Sequence, residues 1–456
     1  MLGRFLVLMV GQSRSGTSQR HERLGMMNPF FYRCVLHLFL GRKALLPCLL
    51  LLIPVKVSAY ELLSFSNFAQ TVTITPHGER YKIIESGEEV VLSDRLIVKT
   101  EPQLDKSDLL ALSPKILSVR EIFIADTFTY FSVRVTHQAD LSRVSEQLKS
   151  HRRVLFVQPD LLQLRHPLSG EKASTKHISL LERRKIYSGY LKKIGVPTLQ
   201  TQTHGKGVTI AVIDDGFLFR HPALKHKSPR FAYDLDSLTM SAQAASLGGR
   251  HGTMVASILF ARPDEEIAGG IAPEADFIAL RHTNTWTSKI VLSFQLANLA
   301  GADIINCSWR SRWLTEPVAD VVNYLAKKGR KGKGTIVVFA AGNDGKKIIA
   351  NSTEAALSSA LVVSSNNSQF QRILSSSFGP SVDIMAFGGM ARAASADGGY
   401  RWFNGTSLSA AIASGVAALL LSQEPELTAD QVTEKLSRRL KPHGSKYIQD
   451  NKINER

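Results

Sequence analysis

Asn404-Gly405-Thr406-Ser407-Leu408-Ser409-Ala410, running on as Ala411-Ile412-Ala413-Ser414-Gly415-Val416-Ala417-Ala418-Leu419, sets one serine at the head of a long run of small and apolar residues. A glycine loop followed by such a run predicts a helix buried on all sides, with Ser407 in its first turn. In that turn the backbone N–H groups lack intrahelical acceptors and the positive end of the helix dipole faces outward, a setting for an oxyanion. A serine before an apolar run is also an ordinary helix cap, so its partners must decide between the two readings.

Two upstream segments supply partners. Gly207-Val208-Thr209-Ile210-Ala211-Val212-Ile213-Asp214-Asp215-Gly216 is a continuous, largely β-branched apolar run, the pattern of a buried parallel strand, and it ends in a carboxylate and a glycine. Arg250-His251-Gly252-Thr253-Met254-Val255-Ala256-Ser257-Ile258 places a histidine at the start of another small-residue helix. Singly, Asp214 could satisfy a turn and His251 could be a polar residue at a helix end. Together they give Asp, His and Ser in that order, each at the terminus of an element.

These segments resemble the subtilisin-like serine proteases, whose three active-site signatures they match in order. A fourth, Ile336-Val337-Val338-Phe339-Ala340-Ala341-Gly342-Asn343, reads as a strand that ends in the family's oxyanion asparagine. The resemblance runs from about Gly195 to Leu421. It implies an α/β fold: a three-layer subtilisin-like domain with a mostly parallel central sheet, preceded by a small α+β propeptide-like domain. It further implies that Ser407 is the nucleophile, that His251 takes and returns its proton, and that Asp214 orients the imidazole and stabilises its cation. The Asn343 side chain and the Ser407 N–H would bind the oxyanion, while Ser308, Trp309, Arg310, Ala341 and Gly342 would line the substrate groove. The reaction needs no cofactor and no catalytic metal. Structural calcium is frequent in the family, but no matching ligand cluster is legible in this sequence.

The chain departs from the family at several positions. Ala411 and Ile412 stand where a proline and a histidine are usual, which concerns helix packing more than chemistry. Ser308-Trp309-Arg310 replaces the usual serine, large apolar residue and glycine. An arginine there is expected to crowd one subsite and to shift preference toward acidic side chains or away from bulky ones, unless it swings into solvent. The resemblance points first to an exported, self-processing serine endopeptidase acting on polypeptides. A protease-like binding protein whose cleft is obstructed by Trp309 and Arg310 stands as the second reading, and a non-proteolytic hydrolase or acyltransferase as the third.

With 456 residues and 44% hydrophobic content the chain exceeds what one domain usually holds. Its net charge of +17 would attract acidic surfaces, yet no basic stripe with interleaved aromatics accompanies it, so no nucleic-acid partner is expected. Residues 1–59 read as a leader: Arg33, Arg42 and Lys43 precede the apolar stretch Ala44 to Val55, and Val57-Ser58-Ala59 offers a cleavage site after Ala59. Translation could start at Met26 or Met27. The stretch is short for a membrane span, so a secreted or periplasmic product without a stable anchor is expected. The glycine spacing of residues 11–18 lacks the phosphate-loop lysine and is set aside. Cys34 and Cys48 fall in the leader, which leaves Cys307, in a strand-like run, as a buried apolar residue.

Residues 60–166 show the order strand, helix, strand, strand, helix, strand. Asp94–Lys99 and Phe128–Val135 alternate as strands do, Leu141–Leu148 has helical spacing, and Val154–Asp160 closes the unit. This resembles the family's propeptide, a partner that assists folding and inhibits the enzyme; an ordinary accessory domain is the alternative. Residues 167–193 read as linker and processing region, in which Pro167–Lys176 is exposed and Arg183-Arg184-Lys185 is a solvated helix face. The catalytic domain is expected over 194–442, with Leu191–Gln200 leading into its first strand. The basic run Lys327–Gly334 reads as a solvated glycine-rich loop, Thr428–Leu440 as an amphipathic closing helix, and 443–456 as a polar tail.

Overall fold

The computed structural model describes residues 62–163, 179–243 and 251–440. The leader with its start codons and cleavage site, the Pro167–Lys176 linker and the polar tail lie outside the described residues. The chain begins with strands β1 (Leu63–Asn67), β2 (Gln70–His77), β3 (Arg80–Ile83) and β4 (Glu89–Thr100). Helix α1 (Lys106–Ala111), strands β5 (Ile116–Ile124) and β6 (Thr129–Val135), helix α2 (Leu141–Lys149) and strand β7 (Val154–Gln163) follow. From β4 to β7 this is the expected strand and helix order, and the strands lie as β7-β4-β6-β5, all antiparallel. The three strands before β4 extend the sheet beyond what was legible. Alternate side chains of β4, β6 and β7 meet α2 in a core of Leu96, Val98, Val133, Val144, Leu148 and Val157.

Helices α3 (Leu180–Lys193) and α4 (Val196–Gln200) come next, separated by a turn at Ile194 and Gly195, so the stretch Leu191–Gln200 that leads into the first strand of the parallel sheet is made of two helix segments. Then β8 (Thr209–Asp214), β9 (Phe231–Asp234), α5 (His251–Phe260), β10 (Asp276–Arg281), β11 (Thr285–Trp286) and α6 (Thr287–Leu299) succeed one another. They lead to β12 (Ile304–Cys307), α7 (Glu316–Lys328), β13 (Ile336–Ala340), β14 (Leu361–Asn366) and β15 (Ile384–Phe387). A hairpin of β16 (Ala391–Ala394) and β17 (Tyr400–Phe403) precedes α8 (Thr406–Gln423) and α9 (Ala429–Leu440).

Seven strands form a parallel sheet in the order β15-β14-β13-β12-β8-β10-β9. Every residue of β8 is buried because helices cover both faces, which is why the run is continuously apolar instead of alternating. Ile210, Val212, Ile304 and Val338 face a core shared with α5 and α8. On the other face Phe339 meets Phe294 of α6 with ring centroids 6.4 Å apart. After β10 the chain crosses β8 to build the opposite half of the sheet, so Asp214 ends the strand at the switch point, where α/β sheets open a crevice. Cys307 is fully buried at the end of β12.

The N-terminal sheet lies on α6 and α7. Tyr130 and Lys99 both reach Asp320 of α7, at 2.6 and 2.7 Å. Neither helix carries a capping side chain of its own at its N-terminus. Asp160 of β7 instead accepts from Ser288 N and Ser288 Oγ at 2.9 and 2.6 Å, and Asn67 Oδ1 accepts from Glu316 N at 2.8 Å. β7 also continues the contact by pairing antiparallel with β11, Gln163 opposite Thr285.

Two basic clusters differ from expectation because their guanidinium groups find acceptors. Arg330 is buried in the Lys327–Gly334 turn, where it bonds Asp303 at 3.1 Å and the carbonyl of Leu427 at 2.9 Å. On α3, Arg183 lies 5.2 Å over the Trp402 ring and Arg184 bonds the carbonyl of Asp264 at 3.2 Å. Neither cluster is merely a solvated face.

Gly415 in the middle of α8 lets Ile271 approach so closely that a Cβ would lie 2.7 Å from Ile271 Cβ. Gly415→Ala is therefore expected to lower stability by about 1 to 3 kcal/mol through overpacking, despite alanine's better helix propensity. Denaturant titration checks this, and an unchanged or raised midpoint would refute it.

Candidate active site

Asp214 ends β8 with its side chain 2% exposed, and both of its carboxylate oxygens face His251 Nδ1, at 2.9 and 3.0 Å. Its Oδ1 also accepts Asp215 N–H at 2.8 Å. A buried carboxylate held this way sets the imidazole plane and the Nδ1–H tautomer, leaving Nε2 as the basic nitrogen. His251 begins α5, its ring edge on Phe403 with centroids 5.5 Å apart. The close approach of α5 to β8 requires Gly252, since a Cβ there would stand 2.5 Å from Gly216 O.

Asp215, whose partnership the sequence reading missed, caps that helix. Its carboxylate accepts His251 N–H at 3.2 Å and Gly252 N–H at 2.8 Å. Burial first, and then the neighbouring Asp214 charge, push its carboxyl up to about 6. The doubled acid in Asp214-Asp215-Gly216 was the available signal.

The second cluster forms where α8 meets β12 and β13. Ser407, the second residue of α8 and 2% exposed, donates its hydroxyl to Ser308 O at 2.9 Å, and Ser308 Oγ donates back to Ser407 O at 3.0 Å. Beneath them Asn306 bonds Ser308 Oγ and Ser414 Oγ, each at 2.9 Å. Thr406 donates its N–H and hydroxyl to Asn343 Oδ1 at 2.9 and 3.0 Å. That fixes the amide so that Asn343 Nδ2, buried and without a hydrogen-bond partner, is a free side-chain donor of the site. Gly405, at φ +80°, makes room for it, since a Cβ would sit 2.7 Å from Nδ2. Thr406 is a second group the sequence reading did not single out.

The two clusters are joined through helix packing, α5 against α8, and through Trp309, whose Nε1 donates to Ile213 O at 2.7 Å. Trp309 is 5% exposed and packs edge-on against His282 and Phe339, at 5.2 and 5.7 Å. It belongs to the core and does not obstruct the cleft as expected, because a large apolar ring gains more by burial than by lining an open groove. Arg310 neither reaches freely into the groove nor swings into solvent: it lies across Gly342 and pairs with Asp344 at 2.8 Å. Gly342 N–H bonds Thr406 Oγ1 at 3.2 Å, and Ala341 N–H bonds Val363 O at 3.0 Å. Chemically the arrangement offers an oriented base, a hydroxyl at a helix N-terminus and an amide donor aimed beside it. Among the described residues no group of three or more His, Cys, Asp or Glu side chains is disposed to hold a metal ion.

Removing the cap of α5 with Asp215→Ala should cost about 0.5 to 2 kcal/mol. Because the folded-state pKa is raised, the native form pays for ionising Asp215 as pH climbs from about 4 to about 6. The loss in the variant should therefore be largest near pH 4 and shrink above pH 6. Denaturation of both proteins across that range checks it, and a loss that grows with pH would contradict the assignment.

The sequence model of the Subtilase family matches residues 205–454. Subtilisin NAT of Bacillus subtilis subsp. natto is 30% identical over 253 residues, 54% of this chain and 64% of its own length. Subtilisin of Bacillus pumilus is likewise 30% identical, over 88% of its length. A calcium-dependent protease of Trichormus variabilis is 29% identical, over 53% of this chain and 43% of its own. The chain thus spans less than two thirds of subtilisin NAT. Among solved structures, the epidermin leader peptide processing serine protease of Staphylococcus aureus superposes with a TM-score of 0.56 at 19% identity, over 76% of this chain and 94% of that one. The ordered Asp, His, Asn and Ser segments, the seven-stranded parallel sheet and these matches have one conclusion: the chain belongs to the subtilase family.

Proposed function

We propose that this chain is an exported, self-processing serine endopeptidase in which Asp214, His251 and Ser407 form the triad and Asn343 serves the oxyanion. The observation that carries this reading is the buried, unpartnered Asn343 Nδ2 held by Thr406 one residue from Ser407. An orphaned buried donor is costly unless something charged comes to it, and the tetrahedral oxyanion of acyl transfer is such a group. Ser407 passes its proton to His251 as its oxygen attacks the scissile carbonyl, and the imidazolium, steadied by Asp214, returns the proton to the leaving amine. Water then repeats the sequence to free the acyl chain. Before attack the Ser407 hydroxyl must leave Ser308 O, its acceptor in the resting site.

The N-terminal sheet is read as an inhibitory propeptide. It has its own core, it supplies the missing caps of α6 and α7, and its strand β7 pairs antiparallel with β11. Export rests on the leader composition of residues 1–59. One relative is a calcium-dependent protease, and the described residues offer no cluster of three or more acidic, histidine or cysteine side chains to hold such an ion.

Ser407→Ala in the full chain should lower kcat by roughly six orders of magnitude, the size known for subtilisin itself, and leave the 166–193 region uncut in purified protein. Intact-mass analysis beside the parent checks both. Maturation of the variant at the parental rate would refute Ser407 as nucleophile.

Docking of the N-terminal sheet should be acid-favoured. Burial raises Asp160 to about 6 in the docked state, against the opposing pull of Ser288 hydrogen bonds and of Arg95 and Lys289. A released sheet would return it to about 4, so docking takes up a proton between those values and tightens as pH falls through 6. Residues 60–166 added to mature enzyme should inhibit more strongly at pH 5 than at pH 7, and Asp160→Asn should flatten the difference. Inhibition that weakens toward pH 5 in the parent but not in the variant would overturn this.

A further inference from the structure

The Arg310–Asp344 pair forms one wall of a cavity of about 680 Å³ that Asn343 also lines. Its charged lining is unbalanced: Arg310, Arg312, Lys346 and Lys347 face only Asp344 and Glu88. Asp344 is already taken by Arg310. Lys346 and Lys347 are exposed and have no carboxylate partner among the described residues. Glu354 lies fully buried behind Ser311, whose N–H it accepts at 2.7 Å, and burial pushes its carboxyl toward the neutral form.

Glu88 does not belong to the parallel-sheet body. It comes from the turn between β3 and β4 of the N-terminal sheet, and its carboxylate meets Arg312 Nη1 at 3.1 Å. Next to it the same sheet grips the following residue, Gln163 bonding Trp313 N and Trp313 O at 2.9 and 2.6 Å. The N-terminal sheet thus brings one acid into a cationic cavity at the side of the proposed oxyanion donor. When the sheet leaves, Arg312 loses that acid and the cavity is left more positive.

We propose, resting on the endopeptidase reading above, that this cavity is a subsite for an acidic side chain close to the scissile bond, and that Glu88 occupies it until the N-terminal sheet departs. Asn343 fixes the position of the scissile carbonyl, so a side chain from a residue near that bond can enter the space that it lines. Arg312, with a planar fork of donors, suits a carboxylate, and Lys346 and Lys347 add field rather than geometry. Arg310 acts as a wall: its guanidinium, folded over Gly342 and spent on Asp344, narrows the space for bulky side chains.

The test uses the full chain, purified after it has processed itself, on matched peptides bearing Asp, Ala or Lys at positions flanking the cleaved bond. The parent should cut the Asp peptide roughly fivefold faster than the Ala peptide in kcat/KM, as an exposed ion pair allows. That advantage should shrink in about 0.5 M salt. Arg312→Glu should abolish it and favour Lys. Should Arg312→Glu fail to fold, the exposed double variant Lys346→Ala with Lys347→Ala should still reduce the Asp advantage. Glu88→Gln in the full chain should bring activity on sooner, and an unchanged onset overturns the role given to Glu88. Equal rates on all three peptides by an active parent overturn the subsite alone, whereas a parent that cuts none takes the endopeptidase reading down with it.

Discussion

The paired hydrogen bonds between Ser308 and Ser407 fasten the first turn of α8 to the end of β12, and most of the site is measured from that joint. Asn306 and Ser414 support it from below, Thr406 carries the joint sideways to Asn343, and Trp309 ties the same segment to β8 through Ile213 O. All these polar groups are buried, so each must be partnered or cost stability. Satisfying them in concert allows only one placement of the helix. That placement leaves the side-chain amide nitrogen of Asn343, Nδ2, without an acceptor.

The packing that makes this precision possible depends on small residues. α8 is buried from Thr406 to Leu421 and long and apolar enough to cross a membrane, yet here it is the centre of a protein core. Ala, Ser and Gly on its surface let the sheet, α5 and the loop bearing Ile271 come close on every side. A helix so enclosed gains its stability from burial rather than from one amphipathic face.

The N-terminal sheet is attached by a different kind of contact. It supplies caps, ion pairs and the short β7–β11 pairing, along with an aromatic cluster of Phe123, Phe128 and Tyr324. A cap is typically worth about 1 kcal/mol, and exposed ion pairs less. Several such contacts hold a layer in place without making it inseparable, and two of them, at Asp160 and Glu88, place carboxylates where the protonation state or a competing acid would alter the balance.

The sequence alone determined the order of the motifs and the nature of the parallel-sheet body, because buried strands and buried helices must be written in continuous apolar or small residues. Asp214, His251, Asn343 and Ser407 were all legible as residues at the ends of such runs, and the Asp214–His251 pairing follows. The strand and helix order from β4 to β7 was legible from alternation and helical spacing, whereas β1 to β3 were not, most of their side chains being exposed or half-exposed. Side-chain destinations were decided only by the tertiary structure. Trp309 turned into the core, Arg310 found Asp344, Arg330 found Asp303, and α6 and α7 took their caps from residues more than a hundred positions earlier in the chain. Periodicity reports which face of an element is buried, but the partner of a long polar side chain is set by whatever charge or carbonyl the fold brings within about 3 Å, and that distance is not written in local sequence.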